Sequence, residues 1–168
     1  MSLISKLKVE FSAVQQGTND FGGPDFEPLL RKVLDFADGT GLAQADILFM
    51  DERSVASATN DDIDLAGALS NAFGATFTAA EIVGIIIDSD VANTTTLTIG
   101  VAGTNPWVTM WAATGDGIKV FPGGVFLNFS RDASGLGAVA GGASDVLRVA
   151  NGSGASATYR IAVLARSA

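Results

Sequence analysis

The chain of 168 residues has no cysteine and no histidine. Without cysteine there is no disulfide framework, thiolate nucleophile or thiolate-bound zinc. Without histidine the commonest general base and transition-metal ligand are gone, and with them the Ser-His-Asp, Cys-His and zincin arrangements. Lysine and arginine are scarce as well, 10 against 18 Asp and Glu, so the formal net charge is −8 and a nucleic-acid backbone would repel the protein as a whole. Long apolar runs are missing: "IVGIIID" at 82–88 is strand-sized, far short of the roughly 20 residues of a membrane helix. The opening "MSLISKLKVEFS" places Lys6 and Lys8 behind Leu3 and Ile4, the wrong order for a secretory signal. These absences lead us to expect a soluble protein made without export, with no enzymatic activity, no cofactor, no metal, and neither nucleic acid nor membrane as partner.

What is present is punctuation. Glycine makes up 20 residues and clusters as "GGPD", "DGTG", "PGG" and "NGSG", with a β-branched or aromatic run resuming after each break. Ten strands are expected, at 7–14, 45–55, 62–65, 81–87, 95–101, 107–111, 117–121, 125–129, 145–150 and 157–165. Short strands at this spacing predict a sandwich rather than βαβ units. The expected fold is all-β: a single-domain antiparallel β-sandwich, jelly-roll-like, with residues 1–14 as an extended N-terminal arm or first strand and 15–168 as the sandwich.

Three stretches carry more specific expectations. Asn151 to Ser156 reads as the loop of a hairpin joining the last two strands, the second of which places Tyr159, Ile161, Val163 and Ala165 on one face. Ala162 and Leu164 lie on the other face, which predicts a strand covered on both sides. In "VFPGGVFLNF" the Pro-Gly-Gly break precedes a strand whose Val125, Leu127 and Phe129 are expected to face one layer, leaving Phe126 for a neighbour. Residues 26–37 suit helix and strand equally, because Leu29, Leu30, Val33, Leu34 and Ala37 fall at helical spacing before Gly39; "DLAGALSNAFG" is also compatible with one helical turn.

The candidate chemistry is thin. Asp61, Asp62, Asp64, Glu81, Asp88, Asp90 and Asp116 fall in a stretch without Lys or Arg, yet their spacing is not that of a calcium loop and reads as a solvated acidic face. Paired carboxylates are all that a glycosidase needs, which ranks that enzyme class last rather than removing it. "DGTGLAQAD" matches neither the dinucleotide nor the phosphate-loop pattern and reads as a turn. Trp107 and Trp111 would share one face of a strand, as a sugar platform, a protein-contact patch or simply core. Asn93, Asn128 and Asn151 open glycosylation-type triplets, read as coincidence in a chain rich in Ser, Thr and Asn. Leu3, Leu7, Val9 and Phe11 alternate as if the N-terminal segment is paired with something, a neighbouring subunit or the surface it binds being the candidates.

The order of segments adds a resemblance. "FADGTGLAQADILFMDERSVA" is followed by "DDIDLAGALSNAFGATFTAAEIVGIIID", "NTTTLTIG", "KVFPGGVFLNF" and "DVLRVANGSGASATYRIAVLA". This succession, over residues 34–165, resembles small structural proteins of tailed bacteriophages. The resemblance implies a head decoration or cement protein, bound to the major capsid protein on the capsid exterior of the virion, made in the host cytoplasm and acting as a homotrimer. The contact residues expected on this reading are Leu3, Leu7, Val9, Phe11, Trp107, Trp111 and Phe126. A carbohydrate-binding module, or an adhesin in a tail or head fibre, is the alternative.

Overall fold

A computed structural model describes residues 2–18, 20–67, 69–100, 103–113 and 115–167. Eight strands build the body: β5 (Ile47–Val55), β6 (Asn60–Asp64), β9 (Glu81–Ser89), β10 (Leu97–Gly100), β11 (Gly117–Val120), β12 (Val125–Phe129), β14 (Val146–Asn151) and β15 (Ala157–Arg166). They form two antiparallel sheets, one in the order β12-β9-β15-β5 and the other β11-β10-β14-β6, with β13 (Gly137–Ala138) added beside β9. The pairing is nested: the first of the eight strands pairs with the last, the second with the seventh, the third with the sixth and the fourth with the fifth. A long antiparallel ribbon rolled so that its two ends lie in different sheets gives this order, which is the jelly roll. The all-β fold is therefore as the glycine punctuation predicts, and no helix occurs among the described residues.

Each sheet turns one face inward, and the core between them holds Phe49, Ile63, Ile85, Ile87, Leu97, Ile99, Leu147, Val149, Ile161 and Val163, all buried. β15 runs between β9 and β5 and is the central strand its two-sided apolar pattern predicts. Tyr159, Ile161, Val163 and Ala165 do face the core together. The turn from β11 to β12 also follows the sequence: the Gly124 amide donates to the Phe121 carbonyl (2.8 Å) and Gly123 takes φ +70°, a conformation that glycine adopts without cost.

Three local expectations are corrected. First, β14 and β15 do not form a hairpin. They belong to different sheets, and residues 151–156 arch from one to the other. The arch is held by the buried Asn151 amide, which donates to the carbonyls of Val55 (3.0 Å), Ala56 (3.2 Å) and Ala155 (2.8 Å) and accepts from the Thr95 hydroxyl (2.6 Å). A Gly/Ser loop between two apolar strands looks the same in both cases; only the strand partners differ. Second, residues 107–111 are not a strand. Pro106 bridges to Val146, and the chain then passes through turns. Third, the parity of β12 is reversed. Phe126 faces the core and Val125 and Leu127 face outward, 57% and 42% exposed. With apolar residues at four of its five positions, Asn128 being the exception, alternation could not choose the face.

The segment before the body is a second unit of structure. β1 (Ser5–Ser12) pairs antiparallel with β4 (Leu29–Phe36), and the ribbon continues through β2 (Gln15–Gln16) with β3 (Asp25–Phe26). The Ala13 amide donates to the Pro28 carbonyl and the Gly17 amide to the Pro24 carbonyl, so pairing runs close to the tip. At about 3.4 Å per residue the ribbon is roughly 40 Å long. Residues 29–36, which suited helix or strand equally, are thus strand: pairing with β1 overrides a helical spacing whose apolar residues would have had nothing to pack on. A small hairpin, β7 (Leu69–Ser70) with β8 (Thr76–Phe77), occupies the other helix-compatible stretch, of which Ala68 lies outside the described residues. Met1 of the expected arm and Val101 of the expected 95–101 strand lie outside them too.

Candidate interaction surface

The ribbon is anchored at its base. Phe36 is 1% exposed in a small cluster with Ala45, Val83 and Leu164, on the outer face of the β12-β9-β15-β5 sheet. Leu3 and Leu34 pack against it, the Leu3 amide donates to Asp38 Oδ1 (2.8 Å), and the Phe36 ring lies 6.2 Å from that of Phe129. Phe129 in turn lies over Gly84, where an added Cβ would sit 2.1 Å from the ring, so glycine at that point of β9 makes room for the anchor.

Register sorts the ribbon's side chains. Leu7 is opposite Leu34, Val9 opposite Lys32 and Phe11 opposite Leu30, so one face reads Leu7, Val9, Phe11, Leu30, Leu34 with Lys32 as its single charge. The other face carries Lys6, Lys8, Glu10, Arg31 and Asp35, with Leu29 and Val33 among them. Leu7 and Val9 are half-buried, whereas Phe11, Leu29 and Leu30 are all more than 60% exposed. Val14, Phe21 and Phe26 extend this apolar exposure to the tip. Of the expected contact residues, Leu3, Leu7, Val9 and Phe11 therefore lie together on the ribbon, Leu3 as an anchor and Phe11 as an exposed group.

The other three sit elsewhere. Trp107 is in the core, 2% exposed, its indole N–H donating to the Ala138 carbonyl (2.9 Å). Trp111 is half-buried and stacks on Phe126, ring centroids 6.4 Å apart and planes 26° from parallel. The two tryptophans share no strand face; Trp107 is closed off in the core, and Phe126 is half-buried with its ring packed against the core and Trp111.

A second outward apolar feature was hidden in the sequence. On the outer face of the β12-β9-β15-β5 sheet, register aligns Met50, Ala162, Ile86 and Leu127 in one row across four strands. Met50 is 63% exposed. The next row reads Glu52, Arg160 and Asp88, Arg160 being ion-paired to Asp88. An open cleft of about 180 Å³ separates the row from the ribbon base and is lined by Leu7, Phe36, Met50, Ile86, Phe129 and Ala162 among others. The signal for this stripe lay in strands apolar on both faces, but its alignment depends on register between segments far apart in sequence.

The acidic residues are mostly structural. Asp61 on β6 accepts two hydrogen bonds from Arg53 on β5 (Nε 2.5 Å, Nη2 2.8 Å) and one from the Tyr159 hydroxyl on β15 (2.7 Å), latching one sheet to the other. Burial pulls the Asp61 acidity towards the neutral form, but the bonds from Arg53 and Tyr159 outweigh it and hold the carboxyl below its ordinary range. Burial and the bond to Asp61 push the Tyr159 phenol up. A carboxyl pushed down is the opposite of what a glycosidase acid needs. Asp62 pairs bidentately with Arg148, and Glu81 with the buried Arg166, which also donates to the carbonyls of Gln44 and Asp132. No group of three or more acidic side chains placed to hold a metal occurs among the described residues. The triplet asparagines Asn93 and Asn151 spend their amides internally, Asn93 on Ser89 and Thr158. The fold and these surfaces define an all-β jelly-roll domain carrying a projecting β-ribbon. Compared with known proteins, the chain matches no family model, no curated protein and no solved structure.

Proposed function

We propose that the protein is a non-enzymatic structural component of a phage virion, a decoration or cement protein that binds the capsid exterior and bridges capsomers as a homotrimer. The observation that carries this reading is the ribbon: roughly 40 Å of paired strand with exposed Phe11, Leu29, Leu30 and Phe26, projecting from a body in which Asp61, Asp62 and Glu81 are tied to Arg53, Arg148 and Arg166. Such a segment suits attachment, since an apolar ribbon gains by being covered and its free edges can add to another sheet. The segment resemblance supplies the capsid and the major capsid protein as partner. Several weak bridges made by linked copies add avidity without new contacts. The adhesin alternative lacks the exposed tryptophan pair that motivated it.

Co-sedimentation with empty shells, together with an electron-microscopy map of decorated particles, tests the proposal. Stoichiometric binding at capsomer junctions is expected. A protein that stays off shells at every concentration, or a glycan array with reproducible sugar binding, would remove the cement role.

A further inference from the structure

The ribbon and the outward stripe are complementary in both shape and charge. The stripe crosses four strands, about 14 Å at the 4.8 Å strand spacing, which accommodates the width of a two-stranded ribbon laid on it. It is apolar along Met50, Ala162, Ile86 and Leu127, with Glu52 two residues beyond Met50 on the same outward face. The ribbon's apolar face presents Val9 and Leu30 beside Lys32, while Leu34 is held in the anchor at the base. Charge follows the same division. β1 and β4 hold Lys6, Lys8, Arg31 and Lys32 against Glu10 and Asp35, a net +2 in a chain of net −8. Lys6 pairs with Asp35 (2.9 Å) and Arg31 with Glu10 (3.8 Å), whereas Lys8 and Lys32 take part in no ion pair among the described residues; on the body Glu52 stands across from Arg160, which feels its charge but is ion-paired to Asp88, so the row carries one positive charge against two negative.

We infer that the stripe is the seat for the ribbon of a second copy of this chain, with Lys32 of one copy against Glu52 of the next. The copy's ribbon enters the cleft beside the resident ribbon base, covers Met50 and Leu127, and buries its own Val9 and Leu30. Ribbon and stripe are different patches, so each copy gives one and accepts one, and a contact of this kind builds a ring where the rotation between copies closes and an open filament where it does not. The inference rests on the self-association part of the function proposed above and not on shell binding.

The absence of cysteine makes the test direct. Lys32→Cys and Glu52→Cys are made as separate proteins, mixed and mildly oxidised without shells. A covalent dimer about tenfold more abundant in the mixture than in either variant alone is expected. In sedimentation, Lys32→Glu and Glu52→Lys should each weaken self-association about tenfold and the double variant should restore it. Both positions are exposed, so folding is not at stake. A mixture that cross-links no better than its components, a charge swap without rescue, or a Lys32→Cys/Glu52→Cys chain that cross-links only within itself would overturn the inference. Ribbon exchange without shell binding would fault the cement role alone; shell binding without the mixed cross-link would fault the exchange alone.

Discussion

The body and the ribbon are built from strands of similar length and comparable apolar content, yet they use them in opposite ways. In β9 and β15 most side chains are buried, because the other sheet covers one face and the anchor cluster part of the other, leaving Ile86, Asp88, Arg160 and Ala162 outward. In β1 and β4 each strand is paired along one edge, and most of the side chains stand in solvent. Backbone pairing alone leaves a two-stranded ribbon marginal in water; burial is what makes strands stable. The body buries its own apolar surface, whereas the ribbon leaves Phe11, Leu29 and Leu30 in solvent.

Removing the ribbon has the largest expected effect. A chain lacking residues 1–33 keeps Phe36 in its cluster and should retain a β-rich circular dichroism spectrum and a cooperative melt, while losing self-association in native mass measurements. Unfolding on truncation would show that the ribbon is part of the core. Within the body, Ile85→Ala removes a fully buried side chain from between the sheets and should cost about 3–4 kcal/mol in denaturant melts.

Next in size is the inter-sheet latch. Asp61→Ala leaves Arg53 and the buried Tyr159 hydroxyl without their shared acceptor and should cost about 2–3 kcal/mol. Its pH dependence has a definite sign. Asp61 is more acidic folded than unfolded, so its contribution is present at neutral pH and is lost as pH falls below about 4. Tyr159 is less acidic folded than unfolded, so stability is lost as pH rises above about 10, where the unfolded phenol ionises. Thermal melts of wild type and Asp61→Asn across pH check this: the variant should lose the acid limb. A smaller effect belongs to the ribbon, where Leu30→Ser should change unfolding free energy by no more than about 0.5 kcal/mol, since Leu30 is 64% exposed. Smallest of all, chelator should leave the melting temperature unchanged; a large drop would reveal a cation site among the acids.

The fold class was legible because glycine breaks and β-branched runs are local signals. Nine of the ten expected strands are strands, and the central position of β15 followed from Ala162 and Leu164 lying opposite its core face. The site was legible only in part. Leu3, Leu7, Val9 and Phe11 marked the first strand of the ribbon, but its partner β4 was masked by a spacing that also fits a helix. Trp107 drew attention by residue type, and type does not report depth.

By itself, then, the sequence of this protein determined that strands alternate with tight turns, that histidine and cysteine chemistry is absent, and that the first residues are too apolar to be a free tail, because each of these depends on residues close together in the chain. Only the tertiary structure decided that β14 and β15 arch between sheets, that Phe126 turns inward, and that Met50, Ile86, Leu127 and Ala162 line up as one stripe. Those outcomes are set by which distant strands pair and in what register, and a shift of one residue would reverse every face.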